Sequence, residues 1–451
     1  MYRTPCTISF IFCLAMALLA CKAKPPQALV AETPPAPVSE IFLPDSFPAN
    51  SPLLTGLLQK MPANFQPIVQ NPATYRLQII YTQIDRDSLN RPLFRHHFFN
   101  AGDAYTYPAS TVKFPAAVLA LEKLNRLALD GADVGLNTSM FTGALRPGEK
   151  PVYDDPTSRS GKPSVGHYIK KILLVSDNDA FNRLYEFLGQ RPFNERLHQL
   201  GFGRAQIVHR LETALSEEEH RTTNPIWFAD AQGNTLYRQP YAKSDMVYAG
   251  RDDKLGRGYK TGSGPGKPAT LVNGPLDFSR KNRWPISYAH LLTQWVLFPE
   301  AQPDSNRLLL SRTDYEFLWR YMSMLPGESD RPPYDTAAYW PAYVKFLLAG
   351  SEKGPWPWPQ LRMFNKVGDA YGHLLDAAYI VDFEHKVEFL LSAVVYCNSN
   401  GILNDDRYDY DDVGLPFLGA LGKTIYAYEL QRERPRAPDL SRFVIPYNEQ
   451  P

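Results

Sequence analysis

The chain has little that would commit it to a charged partner. Its 48 basic and 47 acidic side chains nearly cancel over 451 residues. No global field therefore draws it to nucleic acid, and no basic run singles out an anionic membrane. Cysteine is scarce, with four residues in all. No H-x-H or H-E-x-x-H cluster is present, so no metal site is expected. His96 and His97 are adjacent on a segment that reads as a strand, where neighbours face opposite sides. Internal repeats are missing. The one strongly apolar run, Ile8 to Leu19, is too short to span a bilayer. What the chain does have is 40 prolines and 13% aromatics, which points to ordered loops around a large core.

The N-terminal run ends Leu18-Leu19-Ala20-Cys21. A small residue before cysteine resembles the lipobox of bacterial lipoproteins. That resemblance implies a signal peptide over 1–21, with Cys21 as lipid attachment site. It also implies export to the cell envelope and a membrane anchor on the periplasmic side or at the outer membrane. Cys397 would then be left alone, with no intramolecular disulfide available. Residues 22–52, rich in proline and alanine, read as an extended tether. The rest reads as a domain over 53–435 and a tail over 436–451.

Within that domain, 75–85 and 91–100 alternate as two strands of a hairpin. Helices are expected at 110–129, 165–175, from the "SDND" stretch at 176–179 to Gly189, at 286–298 and at 312–325. Two more strands follow at 373–383 and 386–397, then a closing helix at 413–434. Strands at both ends with a mostly helical middle make an α+β domain whose first and last strands share one antiparallel sheet.

Three short motifs carry chemistry. Ser110-Thr111-Val112-Lys113 places a hydroxyl and an ammonium on one face at the head of an apolar helix. A partly desolvated lysine there can take the serine proton and make a weak nucleophile strong. The ordinary reading is a capping serine beside a surface lysine. Ser176-Asp177-Asn178 follows 66 residues on, between two helices; its ordinary reading is an N-cap turn. Two lysines precede a residue and a glycine: Lys260 in "KTGSGPGK" and Lys366 in "KVGDAYG".

S-x-x-K followed by S-D-N resembles the penicillin-recognising serine enzymes. The segment "HRLETALSEEEHRTTNP" (209–225) is similar to the Ω-loop of class A β-lactamases, with Arg210, Glu212, Thr222, Thr223 and Pro225 in matching places. The resemblance implies a β-lactamase/transpeptidase-like fold. In it, the Lys-x-Gly strand precedes two strands and the last helix, an order that favours Lys366 over the locally better Lys260. Residues 226–283 and 327–360 are then insertions.

The implied chemistry is acyl transfer. Ser110 attacks an amide or lactam carbonyl, and Lys113, or Glu212 through water, takes its proton. Ser176 relays a proton to the leaving nitrogen, and Lys366 supplies positive charge. The amides of Ser110 and Asp369 form the oxyanion hole. Asn178 and Gly368 complete the substrate contacts, and Glu212 activates the deacylating water. Val367 stands where the family has a threonine, which removes a hydrogen bond worth on the order of 1 kcal/mol. Ser216 stands where the family has an asparagine that helps position the water. The expected activity is β-lactam hydrolysis, the antibiotic-resistance reaction, by a monomer without cofactor or metal. The alternatives are a D-alanyl-D-alanine carboxypeptidase-type or other amide or ester hydrolase, and a non-catalytic surface binding module. The substrate is a small β-lactam or a cell-wall peptide.

Overall fold

The computed structural model describes residues 39–46, 48–262 and 268–447. Cys21 and the segment expected as a signal peptide lie outside them. Its centre is a five-stranded antiparallel sheet of β1 (Gln78–Arg86), β2 (Pro92–Phe99), β3 (Leu361–Ala370), β4 (His373–Asp382) and β5 (Val387–Tyr396). The strand order is β3-β4-β5-β1-β2, so the two ends of the domain meet where β1 pairs β5. The expected α+β layout is present. Among the described residues no helix is long and apolar enough to cross a membrane.

Strand alternation sends side chains to two apolar cores. Ile80, Phe364, Tyr379 and Leu390 face the helical middle of the chain. Ile79, Met363, Ile380 and Leu391 face the other side. The helical side holds α1 (Lys113–Leu129), α2 (Val165–Val175), α3 (Asn178–Leu188), α4 (Ile286–Leu297) and α5 (Arg312–Ser323). Helix α4 is buried almost all round against β4 and β5. Helix α6 (Leu415–Gln431) closes the far face through Phe417, Leu418, Leu421 and Ile425.

Both ends of the domain are longer than the composition indicates. The second half of the expected tether is packed, because β2 is an edge strand whose open ladder must be covered. Glu40 N donates to Phe94 O at 2.9 Å, Ser51 N donates to Phe98 O at 2.8 Å, and Phe42 is buried. At the other end the expected tail enters the core. Phe443 is fully buried with its ring 4.9 Å from that of Tyr379. The residues expected as a first insertion form short ribbons. Ile226–Ala229 pairs with Ser139–Thr142, and Gly258–Thr261 pairs with Thr270–Asn273.

Candidate active site

Ser110 does not cap a helix as its ordinary reading would have it. It lies in a 3₁₀ turn, Ala109–Val112, and α1 begins at Lys113 behind Val112, with no side-chain cap. The neighbouring hydroxyl, Thr111 Oγ1, is the one that bonds backward, to Pro108 O at 2.6 Å. Ala109, just before Ser110, has φ +46°. A left-handed alanine costs on the order of 1 kcal/mol and persists only where the surroundings fix it. Those surroundings include β3. A Cβ on Gly368 would lie 2.9 Å from Pro108 O, 2.9 Å from Ser110 N and 3.0 Å from Thr111 N. Only glycine lets β3 approach the Ser110 amide this closely.

Lys113 is fully buried on the first turn of α1. Its Nζ donates to the carbonyl of Ser176 and lies 3.2 Å from Ser176 Oγ. Lys366 reaches the same hydroxyl from β3, with Nζ 2.8 Å from Ser176 Oγ and 2.8 Å from Val367 O. Ser176 ends α2 in a left-handed conformation (φ +62°), and Asp177 Oδ1 caps α3 by accepting from Ala180 N at 2.7 Å. The S-D-N turn is therefore both a helix junction and a bridge between two lysines.

Burial lowers both ammonium groups. Lys113 falls to about 7, through desolvation opposed by Asp369, Asp177 and Glu212. Lys366 falls well below the usual lysine range, through desolvation and then the Lys113 charge. Two cations sharing one hydroxyl cannot both stay fully charged. Near neutral pH this pair can hold a free amine beside Ser176.

Glu212 comes from the loop between the helix Gln190–Gln199 and residue 225. A buried ion pair anchors that loop: Arg210 Nε lies 2.9 Å from Glu186 Oε1, and Arg210 Nη2 donates to Thr222 O at 2.8 Å. Asn182 clamps Leu211 in both directions, at 2.9 Å each. Glu212 follows with φ +50°, exposed, its Oε2 accepting from Asn178 Nδ2 at 2.7 Å.

Ser110, Asn178, Glu212 and Asp369 all line one cavity of about 490 Å³. Three of the expected substrate contacts, Val367, Ser216 and Gly368, do not. Val367 is next to Lys366 on a strand, so its side chain turns to the other face. It is buried there in the core that holds Met363 and Leu374, away from the cavity. Ser216 caps the short helix Glu217–Arg221 in a capping box with Glu219, and its hydroxyl is committed to that carboxylate at 2.6 Å. Gly368 is covered by the Ser110 turn and acts through its missing side chain. Lys260 lies on the ribbon Gly258–Thr261, where its carbonyl accepts from Asn404 Nδ2 at 3.3 Å.

The cavity also has walls that no motif announced. Tyr107 and Tyr371 meet edge to face at 4.8 Å, and Phe278 stands 5.1 Å from Tyr371. His209 and His220 line the loop side, as do Tyr248 and Lys281 from the expected insertion. Burial holds both histidines neutral, His209 at about 4 and His220 at about 3. Among the described residues no cluster of metal-ligating side chains occurs.

Residues 79–236 match the model of the Beta-lactamase enzyme family. That stretch contains Ser110, Lys113, Ser176, Asn178 and Glu212, and it stops before Lys281 and Lys366. No curated protein matches the chain. Among solved structures it is similar to a β-lactamase from Xanthomonas campestris pv. campestris. Identity is 14%, with 82% of this chain and 97% of that one covered, at a TM-score of 0.43. It is also similar to PBP-A, with 17% identity, 85% and 98% coverage, and a TM-score of 0.41.

Proposed function

We propose that the chain, a β-lactamase-like protein, is a serine hydrolase that forms an acyl-enzyme on Ser110 and releases it with water activated by Glu212. The observation that carries this reading is the meeting of Lys113, one helical turn on from Ser110, with Lys366 on Ser176 Oγ.

The steps take Lys113 as the free amine of the lysine pair. Lys113, as a free amine, takes the proton of Ser110 as its Oγ attacks a carbonyl carbon. Charge grows on the carbonyl oxygen and is met by the backbone amides of Ser110 and Asp369, kept together by the close approach of Gly368. The proton then passes from Lys113 through Ser176 to the leaving nitrogen. Lys366, hydrogen-bonded to Ser176, keeps that hydroxyl oriented and favours its anionic character during transfer. In the second half, Glu212, held by Asn178, removes a proton from water as that water attacks the acyl ester; the bond to Ser110 Oγ breaks, the free acid leaves, and the proton returns to Ser110 Oγ.

A second reading has its own observation. Ser216 is spent on its capping box and Glu212 is exposed, so the deacylating water has few partners. A peptidase-like enzyme, acylated readily and released slowly, fits that arrangement. The test is turnover of a chromogenic penicillin analogue by wild type and Ser110→Ala. Steady hydrolysis lost in the variant supports the lactamase. A burst followed by slow turnover supports the second reading. Equal rates in both proteins would remove Ser110 as nucleophile.

A further inference from the structure

The loop side of the cavity holds a cation that acylation does not use. Lys281 lines the same cavity as Ser110, at the His209–His220 end rather than the Lys113–Lys366 end. Its charge acts on both histidines. Its own ammonium is lowered by burial, and no carboxylate offsets that burial. The neighbouring Arg280 differs: it is mostly exposed and paired with Glu217 at 3.0 Å. The acids Glu212 and Asp369 act instead on Lys113.

The segment bearing Lys281 is held rigidly. Gln206 and Arg283 exchange backbone hydrogen bonds at 2.9 and 2.6 Å. Asn282 is fully buried, and its Oδ1 accepts from Val208 N at 2.8 Å and His209 N at 3.1 Å. Gln206 Nε2 donates to Lys281 O at 3.0 Å. A partly desolvated cation on a fixed backbone is costly to keep without an anion, and the fixed backbone lowers the ordering cost of binding one. Beside it stands an unused acceptor. His209 Nδ1 donates to Arg210 O at 2.7 Å, so in the neutral ring Nε2 carries a lone pair. That nitrogen is buried without a hydrogen-bond partner.

We propose that Lys281 is a specificity residue that binds a carboxylate on the acyl portion of the substrate, with His209 Nε2 accepting an amide N–H of the same group. The substrate class is an acyl donor of the peptide type that carries an acidic group. The proposal rests on the reading of Ser110 as the acylated residue, which places the acyl portion in this cavity. Lys281 lies outside the stretch matched to the family model, so this preference belongs to the part of the chain that the match does not reach.

The test separates binding from acylation by using the Ser110→Ala protein. Two small ligands serve, 4-carboxybenzoyl-glycinamide and its uncharged parent benzoyl-glycinamide, with affinity read by calorimetry. The charged ligand should bind tighter by about ten- to a hundredfold, the range of a hydrogen bond to a charged group. Lys281→Met should abolish that ratio and leave the neutral ligand within about twofold. Lys281→Arg should retain most of it, and melting curves of all variants should coincide. Equal affinities for the two ligands, or a ratio untouched by Lys281→Met, overturn the proposal. Because Ser110 is absent throughout, failure of the acyl-enzyme reading would show instead as loss of no activity when Ser110→Ala is compared with wild type on penicillin.

Discussion

Two walls of one cavity differ in kind. The inner wall, made by the Ser110 turn, α1, the Ser176 junction and β3, is dry and closely packed. Its polar atoms are matched within a few ångströms, and its lysines are stripped of water. The outer wall, made by residues 208–220 and 280–281, mixes the two states: Arg210 and His220 are buried, and Glu212 is exposed. Among the described residues Lys281, half-buried there, makes no ion pair. Burial tunes chemistry on the first wall, because desolvation is what turns an ammonium into a base. Exposure leaves Glu212, on the second wall, open to water.

If that division is correct, mutations on the two walls should fail differently. The largest effect is expected from Lys113→Ala, which should slow acylation by roughly a hundred- to ten-thousandfold, the range of a general base. Stopped-flow acylation by penicillin measures it. The wild-type acylation rate should also rise with pH through about 7, because the free amine is the active form and burial places its titration there. A rate flat across pH 6 to 8 would transfer the base role elsewhere.

Glu212→Gln should leave acylation nearly intact and slow release by roughly a hundredfold or more. The adduct would then accumulate and be visible by mass. Equal losses in both steps would erase the distinction between the walls. Gly368→Ala should cost roughly 1–3 kcal/mol of stability, since the new methyl meets backbone atoms rather than a movable side chain. It should also slow acylation by displacing the Ser110 amide. Thermal unfolding and the same stopped-flow assay read both effects. The smallest effect belongs to Lys260→Ala, which should change kcat/KM by less than about twofold, as expected of a surface substitution away from the site.

The inner wall was largely legible. S-x-x-K and S-D-N are local motifs, and the order of elements after each Lys-x-Gly segment was enough to prefer Lys366 over Lys260. Lys366 meets Ser176, while Lys260 lies on a separate ribbon. Two readings on that wall went astray for reasons of geometry. Lys366 and Val367 are adjacent on a strand, so they cannot face the same way, and strand parity outweighs the family's threonine. Ser110 looked like a helix cap because the left-handed turn at Ala109 has no sequence signature. The outer wall was mostly hidden. Lys281 enters through contacts between residues 206–209 and 282–283, some 75 positions apart in the chain, which no local pattern encodes. The tether misread has a similar origin. Composition gave the prolines weight, and only the open edge of β2 explains why Phe42 and Ser51 are fixed there.

The most direct measurement is the intact mass of the domain mixed with a penicillin, followed over time in wild type and Ser110→Ala. The account predicts one penicilloyl mass on the wild type, mapping to the peptide that holds Ser110, and none on the variant. An equal adduct on both proteins, or hydrolysis without any adduct even in Glu212→Gln, would contradict it.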